Sequence, residues 1–136
     1  MTKDEKTLLL QDLCARLPYG VQVFVEHDKY AQATLLGVDI KQFSIIFGGN
    51  NWSSISNIEG HHIEQYKQLI KPYLRPMSSM TEEEREEERK LWDIVTTTRN
   101  DLHYLYTVFL LSHHFDYRGL IDKGLALPAT EDMYNN

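Results

Sequence analysis

The stretch Val21-Gln22-Val23-Phe24-Val25 decides the fold. Valine at every second position, alternating with Gln22 and Phe24, is the period of a half-buried strand. Downstream, Ala33-Thr34-Leu35-Leu36-Gly37-Val38-Asp39-Ile40 is rich in strand formers and broken by Gly37, where a strand bends or is approached closely. The polar His27-Asp28-Lys29 turn separates these two runs. Phe43, Ile45 and Phe47 alternate again, Gly48-Gly49-Asn50-Asn51 signals a turn, and Trp52 to Ile58 reads as a short fourth strand. Three or four short strands in about 40 residues leave no room for crossover helices, so they predict a small antiparallel barrel or a strongly curled sheet.

Before the strands the period is 3.6. Leu9, Leu10, Leu13, Cys14 and Leu17 form the apolar stripe of an amphipathic helix, with Thr2 as its cap and Asp4 and Glu5 in its first turn. Pro18-Tyr19-Gly20 ends it. After the strands, Ile63, Tyr66, Leu69 and Ile70 are spaced for a short helix, and Lys71-Pro72-Tyr73-Leu74-Arg75-Pro76 reads as an extended connector. Thr81 and Glu84 make a capping box, as do Ser79 and Glu82, and predict a helix to about Thr97. Arg99-Asn100-Asp101 interrupts it, and Leu102 to Leu111 predicts a buried helix. The tail beyond Gly119, with Gly124 and Pro128, predicts a strap over the surface. The expected fold class is therefore α+β: an N-terminal helix and a small SH3-like antiparallel β-barrel in residues 1–76, then a C-terminal helical hairpin with an extended tail in residues 77–136.

Composition excludes several classes. Of 136 residues, 42% are hydrophobic, which excludes disorder throughout. The longest dense apolar run, Leu105 to Leu111, is far short of the roughly 20 residues that span a bilayer, so no membrane partner is expected. A single cysteine, Cys14, excludes an internal disulfide; it sits among leucines, as a buried inert thiol would. The N-terminus lacks the apolar core and cleavage site of a signal peptide, which points to the cytoplasm. A net charge of -6 disfavours nucleic acid as a partner, because phosphate contacts supply most of that affinity. Half of that charge lies in Glu82 to Lys90, read as a solvated helix face with internal pairing.

Two histidine pairs, His61-His62 and His113-His114, stand out, the second within His113-His114-Phe115-Asp116-Tyr117-Arg118. Imidazole and carboxylate suit zinc, manganese or iron, so His113, His114 and Asp116 are alternative metal ligands for a hydrolase or nuclease. Adjacent helical residues point about 100° apart, however, so capping of the buried helix and tethering of the tail is the simpler reading. No cofactor is expected. Ser53, Ser54, Ser78 and Ser79 sit in turn or cap contexts without a nucleophile-elbow motif, and Gly48-Gly49 lacks the Lys-Ser/Thr of a phosphate loop.

The strings Lys71-Pro72-Tyr73-Leu74-Arg75-Pro76-Met77-Ser78-Ser79-Met80-Thr81-Glu82-Glu83-Glu84 and His114-Phe115-Asp116-Tyr117-Arg118-Gly119-Leu120-Ile121 resemble those of a family of small proteins of unknown function from gut bacteria and their phages and prophages. Lys123-Gly124-Leu125-Ala126-Leu127 and Leu17-Pro18-Tyr19-Gly20 fit the same pattern. The resemblance implies an intracellular, mobile-element setting and brings no catalytic residues. Val21 to Phe47 is also similar in outline to the core of Sm-like and other SH3-like small barrels, but Phe43-Ser44-Ile45-Ile46 lacks the asparagine that helps Sm proteins hold a base.

Abundant aromatics beside few catalytic groups predict a non-enzymatic protein that binds a protein partner through an aromatic-Arg surface. Tyr73, Arg75, Tyr117 and Arg118 are its expected contacts, since they lie in the strings that carry the resemblance. The alternatives are the metal-dependent enzyme and a nucleic-acid-binding small barrel.

Overall fold

The computed structural model describes residues 2–25, 32–49, 51–57, 61–63, 66–67, 70–98 and 103–134. The expected turn at His27-Asp28-Lys29 and the break at Arg99-Asn100-Asp101 lie outside them. Helix α1 spans Lys3–Arg16. Thr2 and Glu5 cap it reciprocally: Thr2 Oγ1 accepts from the Glu5 amide at 3.1 Å and Glu5 Oε1 from the Thr2 amide at 3.3 Å. A 3-10 turn over Leu17–Tyr19 follows, and Gly20, at φ 69, turns the chain into the sheet.

Among the described residues the strands are, in chain order, β1 Gln22–Val25, β2 Ala33–Asp39, β3 Ser44–Gly49, β4 Trp52–Asn57, β5 His61–Ile63, β6 Tyr66–Lys67, β7 Ile70–Leu74 and β8 Leu127–Pro128. Helices α2, Glu82–Thr98, and α3, His103–Ser112, lie between β7 and β8. The protein is α+β, with six strands in the order β4-β3-β2-β1-β7-β8 and a separate β5–β6 hairpin. All neighbours in the large sheet are antiparallel except β7 and β8.

The sheet is open, which corrects the expected SH3-like barrel. Closure requires the two end strands to meet, but β4 and β8 stand at opposite ends of the order. β1 pairs with β7, and β8 takes the other edge of β7. The helix expected over Ile63 to Ile70 is replaced by β5, β6 and the start of β7. Lys71 to Leu74, expected as a connector, is a central strand despite Pro72. That proline pairs with Val23, and β8 joins β7 only from Tyr73 onward, so the side facing β8 needs no donor beside Pro72.

One face of the sheet is covered. Val21, Val23, Val25, Ala33, Leu35, Ile45, Phe47, Ile70 and Leu74 pack under Leu9, Leu10 and Leu13 of α1. Leu120, Leu125 and Ala126 of the tail join the same core, so the C-terminal segment completes the N-terminal one. Each fully buried aliphatic side chain contributes about 1.5–3 kcal/mol. A second core holds Met80, Phe109, Leu110 and Phe115, flanked by Leu91, Tyr106 and Tyr117. It joins α2 to α3, with Trp92 5.1 Å from Tyr106 and the Tyr106 hydroxyl donating to Glu88 at 2.9 Å. Burial and the neighbouring Glu88 push that hydroxyl up to about 12.

Candidate functional site

The end of β7, the start of α2, the end of α3 and the tail meet around a groove of about 830 Å³. Arg75, Glu84, His113, His114, Glu131 and Tyr134 are among its walls. Arg75 is held on three sides. Its two terminal nitrogens each donate to a Glu84 carboxylate oxygen at 2.7 Å, one of them also donates to the Ser79 carbonyl at 3.2 Å, and its plane lies 4.4 Å from the centre of the Phe115 ring. This bidentate pair holds the Glu84 carboxyl down at about 2, against the opposing effect of burial. The same Glu84 closes the predicted capping box of α2: it accepts from the Thr81 amide at 2.9 Å, and Thr81 Oγ1 accepts from the Glu84 amide at 3.2 Å. One carboxylate thus ties the start of a helix to the end of a strand.

Helix α3 ends in a Schellman motif. The Phe115 amide donates to the Leu110 carbonyl at 2.9 Å and the His114 amide to the Leu111 carbonyl at 3.0 Å, with Phe115 and Leu110 packed together. His114 occupies the left-handed position, at φ 64, that glycine usually fills. It is 8% exposed, and its ring stacks on Tyr134 with centroids 3.6 Å apart. Its Nδ1 is buried without a hydrogen-bond partner. Burial pushes the imidazole down to about 4, and the positive charges of Arg16, Arg75 and His113 push the same way. His113 turns elsewhere: its Nδ1 lies 2.9 Å from the Phe109 carbonyl, and its Nε2 3.9 Å from Glu84 and 3.8 Å from Glu87.

Asp116 fastens the tail, its two carboxylate oxygens accepting from the Leu120 and Ile121 amides at 2.8 and 2.9 Å. His113, His114 and Asp116 therefore serve three different neighbours. Among the described residues no three His, Cys, Asp or Glu side chains converge on a point that would hold a metal ion. The side chains of His61 and His62 fall outside those described.

The expected binding residues are also dispersed. Tyr73 lies on the outer face of β7 against the edge of Phe24, 6.4 Å away. Arg75 is in the groove. Tyr117 and Arg118 belong to a buried polar cluster that sequence reasoning missed. There Arg16 and Asp12, both fully buried, pair at 2.7 Å, and Arg16 also donates to the Phe115 carbonyl at 2.7 Å. Arg118 lies 3.6 Å from the second Asp12 oxygen, and the Tyr117 ring sits beside both guanidinium groups. The only sequence signal was the i, i+4 spacing of Asp12 and Arg16, which usually marks a surface pair.

The sheet's outer face bears a second feature. Leu36, Ile46 and Ile55 are 49, 38 and 59% exposed. Ile46 and Ile55 are direct cross-strand partners, and Leu36 is the extra residue of a bulge between Leu35 and Gly37. The glycines let these side chains lie flat: Ile46 Cδ1 sits 3.2 Å from where a Gly37 Cβ would be, and Leu36 Cδ1 3.0 Å from that of Gly48. At the β2–β3 turn, Asp39 accepts from the Lys41 and Gln42 amides, and Ile40 and Phe43 project, 65 and 41% exposed. Phe43 holds φ 50, a conformation that bulky side chains rarely adopt. Sequence reasoning had placed Phe43 and Ile40 in strands and given them no role. No protein-family model, curated protein or solved structure matches the chain.

Proposed function

We propose that the chain is an interaction protein, not an enzyme, that docks another protein on the apolar outer face of β2, β3 and β4. The carrying observation is the exposure of Leu36, Ile46 and Ile55 on neighbouring strands, with Ile40 and Phe43 exposed at the adjoining β2–β3 turn. Soluble proteins seldom expose contiguous apolar side chains without a binding use. The left-handed Phe43 adds weight, because an aromatic 41% exposed regains only part of its backbone strain by burial, which leaves contact with a partner as a use for it. Asp116, Glu84 and His113, the side chains an enzyme would use, are engaged in holding helix ends and the tail. The docking face differs from Tyr73, Arg75, Tyr117 and Arg118, since Arg75 and Arg118 form internal ion pairs. The reading suits the intracellular phage or mobile-element setting that the sequence resemblance implies.

The test is affinity capture from host-cell extract with the wild-type chain and with the Ile46→Lys/Ile55→Lys variant, their folds matched by circular dichroism. A protein retained by the wild type and lost by the variant is expected. Equal retention by both, or none by either, sinks the reading.

A further inference from the structure

We propose that the C-terminal strap, residues 126–134, is an acid-released clasp, latched by the stack of His114 on Tyr134 and let go when the imidazole takes up a proton. The strap is fastened at three points: β8 pairs with Tyr73 and Leu74, the Ala129 amide donates to the Leu74 carbonyl at 2.8 Å, and Tyr134 closes the end. The Tyr134 hydroxyl donates to the Tyr73 carbonyl at 2.6 Å and accepts from the Gln22 amide at 2.9 Å, joining β7 to β1. The ring that carries this hydroxyl rests on His114.

His114 stands where glycine would be cheapest, so its side chain has a use that offsets backbone strain. Its surroundings accept the neutral ring and oppose the charged one. Arg16 of α1, Arg75 just beyond β7 and the adjacent His113 all bear on it with positive charge. The acids near them are already engaged, Asp12 with Arg16 and Glu84 with Arg75. Glu83 of α2 and Glu131 of the strap line the same groove, but the charges that shift the imidazole are all cationic. A proton on His114 is therefore opposed by burial and by neighbouring positive charge while the strap is closed, and gains access to water once it opens.

The direction follows by linkage. Opening removes the strap's share of the burial while Arg16, Arg75 and His113 stay in place, so the open form binds the proton more tightly than the closed form. Closure is therefore at full strength above the ordinary histidine range and weakens as pH falls toward 4. From pH 7 to 4.5 the closed-to-open ratio drops by at most on the order of 10²-fold, the limit reached if opening relieves the whole shift. Release bares the edge of β7 at Tyr73 and Leu74, whose backbone groups an extended segment of another protein can take up.

The experiment is amide hydrogen exchange from pH 7 to 4.5, corrected for the intrinsic pH dependence and read at Ala129, Gln22 and the 127–134 segment, in the wild type, His114→Gly and His114→Asn. Both replacements tolerate the left-handed backbone, so a second is at hand if one fails to fold. The wild type is expected to lose protection at these amides progressively from pH 7 to 4.5, by severalfold and by at most on the order of 10²-fold, while α1 keeps its own. The variants are expected to show no such slope. Wild-type protection that does not change with pH, or variants that lose it as the wild type does, overturns the proposal.

Discussion

Arg16 Nε lies 2.7 Å from Asp12 Oδ2 with both side chains fully buried, so the helix that covers the sheet carries an ion pair on its inner face. Leu9, Leu10 and Leu13 share that buried side. The pair links two parts of the chain 99 residues apart, because the same guanidinium donates to the Phe115 carbonyl. Removing one partner strands the other charge away from water, at a cost of about 3–5 kcal/mol, whereas replacing both by apolar side chains of similar volume is near neutral. Asp12→Ala is expected to show that loss in urea unfolding, and Asp12→Leu/Arg16→Met to recover most of it. A loss below about 1 kcal/mol for Asp12→Ala means the pair does not hold α1 to the C-terminal half.

The Arg75–Glu84 pair makes a prediction in acid. The folded-state pKa of Glu84 is depressed to about 2, so the pair's contribution is present above the ordinary carboxylate value and is lost as pH falls through the folded one. With solvent screening, about 2 kcal/mol should disappear between pH 5 and pH 2. Glu84→Gln is expected to be less stable than the wild type at pH 7 and to converge with it near pH 2. Parallel stability curves for the two proteins count against the pair.

Gly48 tests the β3–β4 hairpin. A Cβ there collides with the Trp52 carbonyl oxygen and comes within 2.9 Å of Ser53 Cα, so backbone, not a flexible side-chain end, must move. Gly48→Ala should cost about 1–3 kcal/mol, as overpacking does, and lower Tm by roughly 5–10 °C. Gly119→Ala is a contrast of another kind: nothing lies within 4 Å of its Cβ, and its penalty comes only from φ 74. An unchanged Tm for Gly48→Ala contradicts the close hairpin approach.

Local signals carried the fold a long way. Alternation at Val21, Val23 and Val25, the cap at Thr2 and the box at Thr81–Glu84 depend on neighbours a few residues apart, and all appear as read. What was not legible depends on distant partners. Ile70 to Leu74 is a strand because Val23 to Val25 lies beside it, and propensity alone gave Pro72 a connector. Whether a sheet closes is set by which strands find each other, and no property of Val21 to Phe47 forbids β7 from taking the edge of β1. The site suffered most. Tyr73, Arg75, Tyr117 and Arg118 are adjacent in sequence strings, yet the fold sends Tyr73 to the outer sheet face, Arg75 to the groove and the other two to the Asp12–Arg16 cluster. The exposed row of Leu36, Ile46 and Ile55 escaped notice because apolar residues in strands read as core until the uncovered face is known.

Phe43 separates stability from binding. A left-handed conformation costs a side-chain-bearing residue about 1–2 kcal/mol, and Phe43, 41% exposed, regains only part of that by packing. Phe43→Gly removes the backbone strain and loses some of the gain to the freer unfolded chain. The variant is therefore expected to unfold at an equal or higher urea concentration, by up to about 1 kcal/mol. If Phe43 is held open for docking, the same change weakens partner binding by more than about tenfold, as loss of a central aromatic contact does. Phe43→Asn, which also accepts the left-handed region, should behave likewise. A variant that loses both stability and binding marks Phe43 as a packing residue, and one that keeps full binding removes it from the docking face.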